Sequence, residues 1–462
     1  MSVKISLIGA GSAAFSLDLV RDICLTPSLK GSTVSFMDVN PARLDAVHRL
    51  CSRYAEEVGT RLKLEKTTNR RNSLAGADFV INTALAAAAS KAGGRPASLV
   101  AGHDRLRAGW RVARGLGYRF GGSRHIVHDE SFWINFYQLR LMESVLRDVV
   151  ETCPKAWYLL VANPVMAGIT YLTRKYPGAK LVGLCHGYGG VHELIGRLGL
   201  DEKHVSFEVP GVNHFIWLTK LTYKGRDVFP LIDRWVRDKA PAFHRKCGTS
   251  AAMGPKAVDL YKRFGAFPIG DTCTPGGGSW PYWYHTSDAV EKRWKEDPAG
   301  WYAGYFKWGS RGVVELDRIS RDRSAKVSKA YPPRKSGETM IPLIESLAGG
   351  KPGKFILNIP NTGLLVPGIP EDYQVEVWAK ANAKGITGIK SHGLPKPVLM
   401  HALRDMVAPV ETELEAFRTG RRDLLLNLVL MDPFTKSHAQ AEKLVAEILR
   451  LPFNREMARH YR

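Results

Sequence analysis

No two cysteines in this chain are spaced as a CxxC pair; the six (Cys24, Cys51, Cys153, Cys185, Cys247 and Cys273) are scattered. That pattern argues against a disulfide framework and against a structural zinc module, and it points to a reducing, cytoplasmic setting. Long hydrophobic runs are missing too. The longest apolar stretch, residues 79–89, contains Asn82 and Thr83 and falls well short of the ~20 residues a membrane helix needs. The apolar opening, residues 3–15, holds Gly9 and Gly11 and runs into Asp18, which reads as a strand and turn rather than a signal peptide. There is no block of five or more like charges, no basic tail and no RNA-binding signature, so neither nucleic acid nor a membrane is expected as partner.

What is present is ordinary globular material. With 462 residues, 45% hydrophobic and 24% charged, the chain is long enough for more than one domain and a large core. Charge is the unusual feature: 66 Lys and Arg against 44 Asp and Glu give 66 − 44 = +22. A solvated basic surface explains such a balance, and so does attraction of an acidic small substrate.

The first two hundred residues alternate strand and helix patterns. Strands are expected at 3–9, 33–39, 79–84, 157–162 and 180–184. Between them lie helical patterns to residue 25, from the Asn40-Pro41 start signal to about 59, and from an Asp129 cap to about 153. This alternation predicts an α/β fold, a Rossmann-like doubly wound, mostly parallel sheet over residues 1–195. Residues 196–462 read as an α+β half, with antiparallel strands expected at 205–209 and 215–223.

Gly9-Ala10-Gly11-Ser12-Ala13-Ala14 fits G-x-G-x-x-A between a strand and a helix. Gly9 permits the tight turn, Gly11 the close approach of a pyrophosphate, and Ser12 and Ala13 open the helix whose free N–H groups attract it. Asp38 ends the second strand, where its carboxylate suits ribose hydroxyls and disfavours a 2′-phosphate, so NAD is the expected dinucleotide. Asn82 and Asn163 follow strands at the sheet edge where ligands bind; buried asparagines satisfied by backbone are the competing reading.

Two further segments carry chemistry, Gly183-Leu184-Cys185-His186-Gly187 and Gly211-Val212-Asn213-His214. A thiolate and an imidazole at strand ends suit a divalent metal; a buried free thiol and a satisfied core histidine fit the spacing equally.

Taken in order, ISLIGAGS (5–12), ANP (162–164), CHG (185–187), GVNH (211–214), FPIGDT (267–272), NIPNTG (358–363) and VEV (375–377) resemble glycoside hydrolase family 4 along the whole chain. That family comprises NAD- and manganese-dependent glycosidases related to lactate and malate dehydrogenases. The resemblance implies cleavage by oxidation at C3, loss of the C2 proton, elimination of the C1 substituent, then water addition and re-reduction. It implies Cys185 and His214 as ligands of a divalent metal, Mn2+ by preference, and Asn163 and Asn213 beside the sugar. Asp271 takes the position of the base. His186 takes that of the acid, or else orients Cys185, with His125, His128 and Asp129 as other candidates. It also implies a homodimer or homotetramer.

Cys185-His186-Gly187 resembles the α-glucuronidase and α-galacturonidase branch. A uronate carboxylate is best held by arginine, and Arg111, Arg114, Arg119 and Arg124 cluster ahead of Asp129; Arg124 is the reader expected here. Trp280, Trp283 and Tyr284 are read as stacking on a sugar or as core. The expected function is therefore cleavage of uronic acid α-glycosides. A neutral-sugar α-glucosidase or α-galactosidase, a dehydrogenase of hydroxy acids or sugars, and a nucleotide-sensing regulator are the alternatives.

Overall fold

A computed structural model describes residues 1–11, 13–86, 102–274 and 280–462. Its frame is a run of six parallel strands: β1 (Lys4–Ile8), β2 (Thr33–Met37), β3 (Lys63–Thr67), β4 (Phe79–Asn82), β5 (Trp157–Leu160) and β6 (Lys180–Gly183), in the spatial order β3-β2-β1-β4-β5-β6. Ile5, Ser6, Leu7 and Ile8 are all buried, as expected of a strand covered on both faces by crossover helices. Helices Ala13–Cys24, Pro41–Glu57, Phe132–Thr152 and Val165–Lys175 supply much of that cover. The Asn40 side chain accepts from the Arg43 N–H with Pro41 in the first turn, so this helix starts where its capping chemistry predicts. Strand order reverses between β1 and β4, and the crevice outside their carboxyl ends is the natural place for a dinucleotide.

The second half adds strands to the same sheet. These are β7 (Val205–Glu208), β8 (Gly211–Val212), β9 (Phe215–Leu218), β10 (Lys220–Tyr223), β11 (Arg226–Asp227), β12 (Phe267–Ile269), β13 (Gly353–Pro360), β14 (Gln374–Asn382) and β15 (Gly385–Gly388). β13 lies antiparallel to β6, with Asn358 opposite Gly183, β14, β8, β9 and β12 follow outward, and β15 pairs with β14, giving one sheet of 12 strands among the described residues. β7, β10 and β11 form a small separate sheet.

Three expectations change. β3 was not foreseen, because Lys63-Leu64-Glu65-Lys66-Thr67 is mostly charged and lacks an apolar face; it is the sheet's edge, where charge discourages further pairing. The strand expected at 215–223 is two strands in different sheets, split at Thr219. The helix expected from an Asp129 cap begins at Phe132 after Ser131, which leaves Asp129 outside the helix and beside His128 at 2.7 Å. No helix among the described residues is long and apolar enough to cross a membrane.

Candidate active site

The glycine turn is built by backbone. Gly9 and Ala10 N–H groups donate to the Met37 carbonyl at 2.9 and 3.0 Å, tying β1 to the end of β2. Gly9 has φ +88°, and a Cβ there would meet the Ala84 backbone at 2.6 Å, so only glycine fits. Asp38 accepts from the Gly11 N–H (Oδ2, 2.8 Å) and the Asn40 N–H (Oδ1, 2.8 Å), which fixes its carboxylate against the turn. Helix Ala13–Cys24 has no acidic residue in its first turn, the position from which a carboxylate would oppose a phosphate at the helix N-terminus. Ser12 lies outside the described residues. Asn82 is fully buried, its amide nitrogen donating to Tyr158 Oη at 2.6 Å and its oxygen accepting from the Ala84 N–H at 3.0 Å. It shapes the turn after β4 instead of presenting its amide to a ligand.

The second centre assembles from three elements. Cys185 follows β6, His214 sits in the two-residue turn between β8 and β9, and Asp271 follows β12. One ligand atom from each lies within 4.8 Å of the others. His214 Nε2 is 3.5 Å and Cys185 Sγ 4.0 Å from Asp271 Oδ2. His214 has φ +60°, a costly conformation for a residue with a Cβ and one found at functional sites. Gly270, φ +52°, is what lets the Asp271 turn press on the Cys185 loop: a Cβ there would stand 1.9 Å from the Gly187 carbonyl oxygen.

Behind the imidazole is a buried support that the motifs did not disclose. Glu130 Oε1 stands 3.1 Å from His214 Nδ1, and Glu130 Oε2 is 3.1 Å from Arg124 Nη1. Arg124 Nη2 donates to the His214 carbonyl at 3.0 Å. Burial works against the Glu130 charge, yet His214 and Arg124 hold its carboxyl well below the usual range. Burial also disfavours a charged His214, but Cys185, Asp271 and Glu130 hold its pKa well above the ordinary value. Burial, reinforced by Glu376, pushes the Cys185 thiol up. A soft sulfur, an imidazole oriented by a carboxylate and a further carboxylate oxygen form a donor set that fits a borderline divalent cation.

Other predicted residues are engaged elsewhere. Asn213 is fully buried, its amide donating to Glu376 Oε2 and its N–H to Gln374 Oε1, both at 3.0 Å; it braces the turn that carries His214. Arg124 is buried on Glu130. Arg111 and Arg114 are exposed on helix His103–Gly115, and Arg119 is drawn to Asp288, Glu291 and the His285 carbonyl. His186 is 81% exposed and faces Glu338 at 3.6 Å. His125 is buried against Glu413 at 3.1 Å. Trp280, donating to Asp405, and Tyr284, donating to Asp259, are core.

Asn163 lies in a cleft of about 270 Å³ at the carboxyl ends of β4 and β5, lined also by Phe15, Thr83, Asp129, Gln138 and Tyr305. The residue after Asp129 is Glu130, so adjacent side chains line this cleft and hold His214. A larger concavity of about 560 Å³, lined by Tyr137, Arg147, Lys175 and Phe417 among others, includes none of the predicted site residues.

Comparisons with known proteins agree with this architecture. The chain is 24% identical to an α-galactosidase of Bacillus subtilis strain 168, over 96% of each chain. It is also 24% identical to an α-galacturonidase of Lachnoclostridium phytofermentans, over 97% of this chain and 95% of that one. A solved 6-phospho-α-glucosidase from gut microorganisms, in complex with NAD and Mn2+, superposes with a TM-score of 0.78 at 16% identity over 99% of each chain. Residues 4–200 match the model of the family 4 glycosyl hydrolases and residues 209–435 that of the family 4 C-terminal domain. The chain therefore belongs to family 4 of the glycosyl hydrolases.

Proposed function

We propose that the protein is an NAD- and divalent-metal-dependent α-glycosidase acting on uronic acid glycosides. The observation that carries the reading is the convergence of Cys185, His214 and Asp271 in a family 4 chain whose glycine turn is shaped for a dinucleotide. When bound, the nicotinamide supplies a reversible two-electron acceptor and the cation an electrophilic anchor for sugar oxygens. Cys185 and His214 hold the cation, and the Glu130 contact keeps His214 Nε2 turned toward it. Asp271, partly exposed and 3.5 Å from His214 Nε2, brings the carboxylate of this three-residue cluster and is the group that takes a proton from a sugar carbon. Asn163 hydrogen-bonds a sugar hydroxyl at the end of β5.

The uronate preference is supported by the α-galacturonidase relative, by Cys185-His186-Gly187 and by the +22 charge. It is not supported through the four arginines, which are engaged or turned outward. The decisive assay pairs 4-nitrophenyl α-D-galacturonide with the matching galactoside, with NAD+ and Mn2+ under reducing conditions. Hydrolysis of the acidic glycoside in preference to the neutral one is expected. Equal or reversed preference would assign a neutral sugar, and net NADH release a dehydrogenase.

A further inference from the structure

The cleft beside Asn163 contains a histidine that sequence motifs do not single out. His103 opens helix His103–Gly115, is 5% exposed, and neither ring nitrogen has a hydrogen-bond partner among the described residues. Its ring packs against Phe306 at 4.7 Å and Tyr305 at 5.6 Å, so its plane is set by neighbours that satisfy no polar atom. Burial lowers its pKa to about 4, and at neutral pH the ring therefore offers one N–H and one lone pair. Buried polar atoms left unpaired are rare in folded proteins, and an imidazole that served packing alone would be better replaced by an apolar ring.

The pocket itself defines what pairs with this ring. His103 and Asp129 both line it, and no lysine or arginine does among the described lining residues. A hydroxyl suits both groups: it donates to the Asp129 oxygen or the ring lone pair and accepts from the ring N–H. Thr83 and Phe15 belong to the wall nearer the glycine turn, whereas Asp129 is continuous in chain with the Glu130 support of His214.

We propose that His103, with Asp129 in the same cleft, binds a hydroxyl of the glycoside, making His103 a substrate-contacting residue. The proposal rests on the glycosidase reading above. His103→Phe removes both ring nitrogens while keeping a flat apolar ring, and His103→Gln restores a donor and an acceptor. With the glycoside that the wild type hydrolyses, His103→Phe is expected to raise KM about ten-fold, the worth of a lost hydrogen bond. NAD+ affinity, measured by calorimetry, stays at the wild-type value, and His103→Gln recovers part of the KM. An unchanged KM overturns the proposal. A parallel loss of NAD+ affinity does so too, by giving the ring to the nicotinamide carboxamide. If the wild type hydrolyses none of the glycosides, the glycosidase reading fails separately, and 15N-imidazole NMR of the NAD+-loaded protein decides about His103. A saturable shift of the resonance missing in His103→Phe, on adding D-galactose or D-galacturonic acid, supports it; no shift overturns it.

Discussion

Glu130 shows how a side chain that never touches a ligand can set the quality of a cation site. Its contact with His214 Nδ1 at 3.1 Å fixes which ring nitrogen faces Cys185 and Asp271. Glu130→Gln keeps the shape and removes the charge, and Mn2+ affinity is expected to fall about 10–100-fold, read by calorimetry on the NAD+-loaded protein. Cys185→Ser should abolish tight Mn2+ binding while NAD+ binding persists, because the glycine turn shares no atom with the thiol; retained Mn2+ affinity would remove Cys185 from the ligand set. Cys185 and His214 stood out as donor types at strand ends, where a buried thiol and a core histidine fitted equally; Asp271 came in only through the family resemblance, and it is the fold that brings the three together. Glu130 did not stand out, since it meets His214 only through the fold. For the same reason the motifs did not disclose that Arg124 is engaged by Glu130 and Asn213 by Glu376. A guanidinium or amide reads alike in sequence whether it points at a sugar or, as here, at Glu130 and Glu376.

At the scale of elements, the site depends on how closely two turns approach. Gly270→Ala would force a Cβ to within 1.9 Å of the Gly187 carbonyl oxygen at φ +52°, so the β12 turn must retreat from the Cys185 loop. Stability should drop by about 1–3 kcal/mol, visible as a lowered Tm, and Mn2+ affinity should fall with it while NAD+ binding holds. An alanine variant that binds Mn2+ like the wild type would show that Asp271 is not held by this contact. The parallel strands were readable from apolar runs and their caps. β3 was not, because its charges suit an edge, and the break at Thr219 was not, because β9 and β10 choose different partners and local pattern does not encode partners.

For the whole molecule, strand–helix alternation announced a doubly wound, mostly parallel sheet, but the order β3-β2-β1-β4-β5-β6 and the edge strand β3 are supplied by the structure. So is the antiparallel extension through β13, since Asn358 and Gly183 lie far apart in the chain. Net charge is a property at this scale. A field set by +22 raises the local concentration of an anionic substrate and is screened by salt. For an acidic glycoside, kcat/KM should therefore fall several-fold between about 0.01 and 0.15 M salt, the range over which the Debye length shrinks from about 30 to about 8 Å; the neutral glycoside serves as the insensitive control. Equal salt dependence of the two would separate the charge from substrate choice.

Asp129 and Glu130 are joined by one peptide, one lining the cleft and the other pressed on His214. Any coupling between a hydroxyl bound beside Asp129 and a cation held at His214 has this one peptide as its shortest route, and linkage makes such a coupling equal in both directions.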